Sequence, residues 1–164
     1  MSDSPELKLT MATEQDVPQI LAFIKALAEY ERLSDAVVAT EAGLRLSLFG
    51  KRPYAECVMA RWKGEPAGFA LFFHNFSTFL ARPGLYLEDL FVRPELRGKG
   101  VGRALLQYLA KLAVERDCGR LEWSVLDWNE TAIGFYKSIG AEPLDQWTIF
   151  RLKGEALARL ADSN

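Results

Sequence analysis

The residues whose types and spacing best suit binding or catalysis lie in one stretch, residues 85–106, which reads LYLEDLFVRPELRGKGVGRALL. Two adjacent acids, Glu88 and Asp89, interrupt an apolar run of strand length. A turn with the sequence RGKGVG follows at residues 97–102 and combines two cations with three glycines. A carboxylate can attract a cation or take a proton, and a basic, glycine-rich turn suits an anion such as pyrophosphate.

The order of elements around the turn supports an anion site. Residues 85–92 have the length of a strand, and Pro94 cannot continue a strand interior. A helix pattern follows, with apolar residues at Leu105, Leu109 and Leu112. A helix N-terminus carries unpaired N–H groups and the positive end of the helix dipole, and glycine lets the backbone approach a ligand. The sequence therefore predicts a phosphate or pyrophosphate site; the alternative is a plain strand-to-helix turn.

Two familiar phosphate-binding motifs do not fit this turn. A Walker loop needs GxxxxGK followed by Ser or Thr, and Lys99 comes too early for that pattern. A dinucleotide fingerprint needs GxGxxG, but its last position is Arg103 when counted from Gly98 and Leu105 when counted from Gly100. The spacing of the glycines therefore excludes a nicotinamide-binding interpretation.

Composition narrows the class of protein. The 164 residues are 49% hydrophobic and 26% charged, with a net charge of -2 and no basic block, so nucleic-acid binding is unsupported. Cys57 and Cys118 are too isolated for a disulfide framework or a metal site. No apolar run reaches the ~20 residues of a membrane span, and the first residues lack the pattern of a signal peptide. We expect one globular domain over residues 1–164, in the cytoplasm, without a metal, nucleic-acid or membrane partner.

The elements that must position these residues follow from periodicity and turn signals. The patterns predict strands at 7–11, 54–61, 66–74, 85–92, 120–126 and 147–152, and helices at 16–31, 40–48 and 129–138, with a further helix after the turn. Residues 155–161 form either a weak amphipathic helix or a frayed end. Residues 62–65 are a hairpin turn and residues 75–84 a loop, and His74 is expected to be structural or solvated. The fold class is therefore α+β, with a mixed sheet around a central strand–turn–helix unit.

Three motifs in this order resemble one known family. They are YLEDLFV at 86–92, RGKGVG at 97–102 and WNETAIGFYKSIGA at 128–141. The turn also fits R/Q-x-x-G-x-G/A at Arg97, Gly100 and Gly102. The chain resembles the GNAT acetyltransferases, which bind acetyl-CoA, and most closely their spermidine/spermine branch with its thialysine-acetylating relatives. The resemblance runs nearly end to end and includes IKALAEYE at 24–31.

The resemblance implies a mixed sheet that splays between strands 85–92 and 120–126, with acetyl-CoA in the opening. Backbone groups of Leu90, Phe91 and Val92 would carry the pantetheine arm. The pyrophosphate would lie on the turn, at Arg97, Gly98, Lys99, Gly100, Val101, Gly102 and Arg103. The start of the following short helix would face the thioester and pantetheine, at Asn129, Glu130, Thr131 and Ala132.

The resemblance also suggests the catalytic residues. Tyr136, in the FY pair after Asn129, would protonate the CoA thiolate as a general acid; otherwise it is a tyrosine packed in a helix. Glu88 is the candidate base, through water, because an alkylamine is protonated at neutral pH and must lose a proton. Strand alternation would put Asp89 on the opposite sheet face, where it would have a structural or dimer role. A solvated or paired surface acid is the alternative for Glu88 and Asp89.

Substrate-contacting positions are implied in the same way. They are Tyr30, Glu31, Glu88, Glu122, Trp123 and Ser124, whose acids suit a cationic amine. The polyamine enzymes carry an acidic and aromatic segment before the central strand, whereas residues 75–84 contain no acid and include Arg82. This departure favours a short amine, such as a diamine or a lysine-like side chain.

The leading hypothesis is therefore direct acetyl transfer from acetyl-CoA to a small primary amine, without a covalent enzyme intermediate. One alternative is a protein acetyltransferase acting on lysine or an N-terminus. Another is a non-catalytic acyl-CoA-binding module, against which the presence of both Tyr136 and Glu88 argues. A homodimer is implied by the resemblance alone.

Overall fold

The computed structural model describes residues 6–163, which divide into two compact units, one ending at Leu126 and the other beginning at Asp127. The first unit contains the sheet, the acid pair and the glycine-rich turn. Its strands are β1 (Leu7–Met11), β2 (Glu56–Trp62), β3 (Glu65–Ser77), β4 (Arg82–Val92) and β5 (Leu121–Trp123). Its helices are α1 (Val17–Tyr30), α2 (Glu41–Phe49) and α3 (Val101–Glu115).

The five strands form one mixed sheet in the order β1-β2-β3-β4-β5. All neighbours are antiparallel except β4 and β5, which are parallel and joined through α3. Parallel neighbours need such a crossover, whereas β2 and β3 are joined by Lys63 and Gly64, both at positive φ as a two-residue hairpin turn requires. The predicted α+β class, mixed sheet and hairpin are confirmed.

The central part of the sheet is buried on both faces, which explains the continuous apolar runs in β2 and β3. On one face Phe23 of α1 stacks near Phe69 and Phe91, with ring centroids 5.7 and 5.5 Å apart. From α3, Leu105 and Leu109 are fully buried. A strand covered on both sides cannot alternate apolar and polar residues, so β2 contains an uninterrupted buried run over residues 57–60.

The predicted loop at residues 75–84 is wrong in most of its length. Asn75 pairs with Gly84, Phe76 with Pro83, and β3 and β4 continue almost to the hairpin turn at residues 78–81. Pro83 and Gly84 suggested a loop, but Gly84 is buried because the chain packs closely there. An added Cβ at Gly84 would run into the Asn75 side-chain oxygen. Glycine here permits close approach of two strands rather than ending one.

Strand β5 is shorter than predicted. The sequence suggested residues 120–126, but only Leu121–Trp123 form a strand, opposite residues 85–87 of β4. Beyond Leu87, β4 continues to Val92 with no strand of residues 6–163 paired on its β5 side. The two strands therefore part at the position of the acid pair.

The second unit contains α4 (Glu130–Ser138) and α5 (Gly154–Ala161). The predicted cap of α4 is confirmed, because the Ala132 N–H donates to the Asn129 side-chain oxygen at 3.3 Å. The predicted strand at residues 147–152 is wrong: these residues have no regular secondary structure. Their aromatic and β-branched residues favour a strand, but a strand also requires a paired neighbour, and none of the described strands provides one. Among residues 6–163, every helix is too short or too polar to span a membrane.

Candidate active site

The centre of the candidate site is a β-bulge at Glu88. Leu71 of β3 is opposite Asp89 and Phe72 is opposite Leu87, so Glu88 has no partner in the register. Because neighbouring residues of β3 lie on opposite faces, Leu87 and Asp89 lie on opposite faces as well. Simple alternation is thus interrupted at Glu88, so alternation from Glu88 does not determine the face on which Asp89 lies.

The bulge puts Asp89 on the α1 side of the sheet. Asp89 shares its face with Phe91, whose ring packs against Phe23 of α1. Asp89 is half-buried, and none of the described Lys or Arg side chains forms an ion pair with it, whereas Glu88 is exposed. Burial, and then the charges of Glu88 and Glu31, raise the pKa of Asp89 to about 6. A carboxyl group in this state can exchange protons near neutral pH.

The end of α1 contributes a second acid and an aromatic ring. Burial raises the pKa of Glu31, the residue directly after α1. The Arg97 guanidinium lies over the Tyr30 ring, 4.7 Å from its centroid. The structure therefore brings Tyr30 of the predicted substrate set together with Arg97 of the predicted cofactor set, and Glu31 follows Tyr30 in the chain.

The glycine-rich turn has the geometry of an anion cradle. Gly98 and Gly100 have φ values of 81° and 85°, and Gly100 is the N-cap of α3. A Cβ added at Gly98 or Gly100 would meet no atom within 4 Å, so the space beside both glycines is open. The N-terminus of a 15-residue helix opens directly onto this turn. The turn therefore fits the pyrophosphate that the sequence predicts.

Strand β4 offers the adjoining backbone. Residues 90–92 pair with β3 on one side, and no strand among the described residues pairs with them on the other. Polar backbone groups left in this way can receive an extended amide chain in the manner of an added strand. One is already engaged, because Arg97 Nε donates to the Val92 carbonyl at 3.3 Å. This segment fits the predicted pantetheine contacts of Leu90, Phe91 and Val92.

The predicted substrate residues in β5 and directly after it contact neighbouring side chains or are partly buried. Glu122 Oε1 lies 2.8 Å from Arg120 Nε and accepts a hydrogen bond from Asn75 Nδ2 at 3.1 Å. The hydroxyls of Ser124 and Tyr86 are 2.8 Å apart. Trp123 is half-buried. Since Arg120 offsets its charge, Glu122 attracts a cation less than Glu31 or Asp89 does.

Tyr136 and the predicted thioester-facing residues belong to the second unit. Tyr136 is half-buried in α4, with its ring centroid 5.7 Å from that of Phe135. Its carbonyl accepts a hydrogen bond from the Ala141 N–H at 3.1 Å, which closes the end of the helix. Asn129 and Glu130 favour the start of α4 through the cap and the helix dipole.

The surroundings of His74 account for the role expected of it. His74 Nε2 is 3.4 Å from Arg116 Nη1, and Arg116 forms two hydrogen bonds with Glu56 at 2.6 and 2.9 Å. This arrangement agrees with a structural histidine. Residues 6–163 contain no group of three or more side chains suited to hold a metal ion.

Replacement of Gly100 by Ala tests the cradle. A Cβ at φ 85° is strained by about 1 kcal/mol and would project into the space expected for the pyrophosphate. We expect a loss of stability of about 1 kcal/mol and an increase in the Kd for acetyl-CoA of about 10-fold or more. Gly64→Ala is the matched control, because Gly64 has φ 84° and open surroundings in the β2–β3 hairpin. Equal Kd values for both variants, measured by calorimetry, would contradict the assignment.

Comparisons with known proteins agree with this geometry. A profile described as the acetyltransferase (GNAT) family matches residues 20–141. The chain is 40% identical over 161 residues to a thialysine N-epsilon-acetyltransferase of Bos taurus, with 92% of this chain and 94% of that protein covered. It is 34% identical to an L-ornithine N5-acetyltransferase of Arabidopsis thaliana, with 96% and 89% covered. A solved integron cassette protein of V. cholerae superposes with a TM-score of 0.80 at 29% identity, over 96% of this chain and 99% of that one.

Proposed function

The chain belongs to the acetyltransferase (GNAT) family and is an acetyl-CoA-dependent N-acetyltransferase, and we propose that its acceptor is the primary amine of a small cationic molecule. The observation that carries the proposal is the pair of half-buried acids at the bulge and at the end of α1, Asp89 and Glu31. Partly buried carboxyl groups that no described cation pairs with favour binding of an ammonium group. An acceptor with one or more amino groups supplies that charge.

Acetyl-CoA brings the acetyl group as a thioester, which the amine attacks directly. The chain's contribution is then to bind, to orient and to move protons. The turn residues 97–103 hold the pyrophosphate, and the β4 backbone at residues 90–92 receives the pantetheine amides. The thioester end of acetyl-CoA is faced by the start of α4, at Asn129, Glu130, Thr131 and Ala132. Orientation of the two substrates supplies much of the rate enhancement.

Two side chains move protons in this proposal. Glu88 attracts the ammonium group and relays its proton through water, which its exposed position at the bulge permits. Tyr136 protonates the leaving thiolate as a general acid. Neither residue forms a covalent bond with the acetyl group.

In this proposal the part of the site that binds the acceptor amine is lined by Tyr30, Glu122, Trp123 and Ser124. The names of two relatives, a thialysine and an ornithine acetyltransferase, support an amino-acid-like or diamine acceptor. The β3–β4 hairpin turn contains no acid that could bind the far end of a polyamine. Arg82 is paired with Asp117 at 2.7 Å, so repulsion by Arg82 is weaker than the sequence suggested. A short amine is therefore favoured over spermidine.

The test is thiol release from acetyl-CoA against thialysine, ornithine, lysine, short diamines, spermidine and lysine peptides. We expect kcat/KM for thialysine, ornithine or a short diamine to exceed that for spermidine and for peptides by at least about 10-fold, equivalent to about 1.4 kcal/mol. In Glu31→Gln, KM for the preferred amine should rise with little change in kcat, because a binding charge is lost.

Three outcomes would decide against the proposal. Preference for peptides would indicate a protein acetyltransferase. Acetyl-CoA binding without turnover of any amine would indicate a non-catalytic module. Equal KM values in wild type and Glu31→Gln would remove the acid at the end of α1 from the acceptor site.

The assembly and the cellular setting extend the same proposal. The resemblance supports a homodimer, and isolated cysteines support a reduced, cytoplasmic environment. Light scattering at micromolar concentration and fluorescence localisation of the tagged protein test the two statements.

A further inference from the structure

We infer that Asp89 is a further catalytic residue, which accepts the proton that the ammonium group of the acceptor must lose. The inference rests on the proposed function and adds a destination for the proton that Glu88 relays. It follows from the bulge, which puts two consecutive carboxyl groups at the point where β4 and β5 part. Glu88 is exposed to solvent, whereas the carboxyl group next to it in the chain, that of Asp89, is half-buried.

The fold does not use Asp89 for its own stability. No ion pair and no hydrogen bond connects its side chain to another of the residues 6–163. Its neighbours on the same face are apolar, with Phe91 next on β4 and Leu71 opposite on β3. A buried carboxylate without a partner costs free energy, so a structural role predicts a cation here, and none is present among the described side chains.

The charged groups that shift the pKa of Asp89 both favour its protonated form. Glu88 precedes it on β4, and Glu31 faces it from the end of α1. The Cys57 thiol on β2 is neutral, because burial, with the charges of Asp16 and Asp89, raises its pKa strongly. The Arg97 guanidinium lies over the Tyr30 ring at the end of α1 and forms no ion pair with Asp89. Burial and the two acids together raise the pKa of Asp89 to about 6, which makes it a stronger base than an ordinary aspartate.

The protons balance as follows. The ammonium nitrogen loses one proton, through the water held by Glu88, to the Asp89 carboxylate, which later releases it to solvent. The neutral amine then forms the N–C bond as the C–S bond breaks. The thiolate receives the phenolic proton of Tyr136, and the proton that the acylated nitrogen sheds restores the phenol. The net products are the amide, the CoA thiol and one released proton.

This role makes an unusual prediction for stability. The folded pKa of Asp89 lies above its unfolded value, so the charged side chain destabilises the fold at pH values above about 6. That penalty is absent below about pH 4, where the group is protonated in both states. Asp89→Asn should therefore raise the midpoint of unfolding at pH 8 and change it less at pH 4. A structural acid would behave in the opposite way.

The experiment compares the wild type, Asp89→Asn and Glu31→Gln. In the wild type, kcat/KM should fall as pH drops through about 6, because Asp89 must be deprotonated to accept a proton. Asp89→Asn should lower kcat about 30- to 100-fold at pH 7.5 and should lose this acid limb, the fall in kcat/KM at low pH. It should also unfold at a higher temperature than the wild type. In Glu31→Gln the limb should move to lower pH, because one charge that raises the pKa of Asp89 is gone. Glu115→Gln, an exposed acid at the end of α3, is the matched control.

The outcomes separate the inference from the proposed function. If the wild type acetylates an amine and Asp89→Asn keeps its rate and pH limb, the inference is overturned while the proposed function stands. If Asp89→Asn loses stability together with activity, Asp89 is structural and the inference is again overturned. If the acid limb of kcat/KM lies at the same pH in Glu31→Gln as in the wild type, the inference about Asp89 is also contradicted. This measurement does not depend on folding of the Asp89 variant. A wild type that acetylates no amine would remove both.

Discussion

Tyr136→Phe is expected to lower kcat for the preferred amine about 10³-fold, while the Kd for acetyl-CoA changes by less than about twofold. The substitution removes one hydroxyl from a half-buried ring of α4 and retains its packing against Phe135. Without a positioned acid the thiolate must leave unprotonated or take a proton from water. The loss therefore belongs to the chemical step, and KM for the amine should change little.

Measurement of this effect requires single-turnover kinetics with acetyl-CoA bound, alongside steady-state thiol release. Tyr54→Phe is the matched control, because Tyr54 is an exposed tyrosine between α2 and β2 that has no proposed role. We expect its kcat to equal that of the wild type. A Tyr136→Phe enzyme with less than a threefold decrease in kcat would remove Tyr136 as the acid and leave the reaction itself intact.

Gly68→Ala is expected to lower the free energy of unfolding by about 3 kcal/mol and to abolish tight acetyl-CoA binding. Gly68 lies on β3 opposite Val92, and an added Cβ would run into the Phe91 carbonyl oxygen. The Val92 Cα is also only 3.2 Å from that Cβ position. Both obstacles are backbone atoms of β4, so no side chain can rotate away and the two strands must separate. The displaced segment is the one proposed to receive the pantetheine arm.

Urea denaturation of Gly68→Ala and Gly134→Ala tests the prediction with opposite expected signs. Gly134 lies within α4, and a Cβ there meets no neighbouring atom within 4 Å. Alanine should stabilise that helix position by about 0.5–1 kcal/mol. A Gly68→Ala protein as stable as the wild type would mean that β3 and β4 are further apart than in the structure.

Much of the fold followed from local patterns. Helix α1 was predicted over residues 16–31 and lies at Val17–Tyr30, and the cap at Asn129 marked the start of α4. The glycine-rich turn and its helix were predicted from residue types alone. These features depend on neighbours in the sequence, which is why periodicity and capping detect them.

The errors occurred where a partner distant in the sequence decides the structure. Residues 147–152 have the composition of a strand but no described partner, and Gly84 proved to be a close contact with Asn75 rather than a loop signal. In the site, the ion pair between Glu122 and Arg120 and the surroundings of Asp89 were not predictable. The bulge that determines the face of Asp89 is a property of the register with β3, and no residue type in β4 predicts it.

The same bulge has a consequence for how this enzyme could diversify. Glu88 is exposed, has no residue opposite it on β3, and forms no ion pair with a described cation. An exposed side chain contributes little packing, so a substitution there should leave the free energy of unfolding within about 0.5 kcal/mol of the wild-type value, and in the proposed function it would alter the charge presented to the acceptor. After duplication of the gene, substitutions of Glu88 in one copy could therefore change the preferred acceptor while the protein continued to fold. In the proposed function, a residue that meets the charge of the acceptor is therefore one whose replacement costs the fold little.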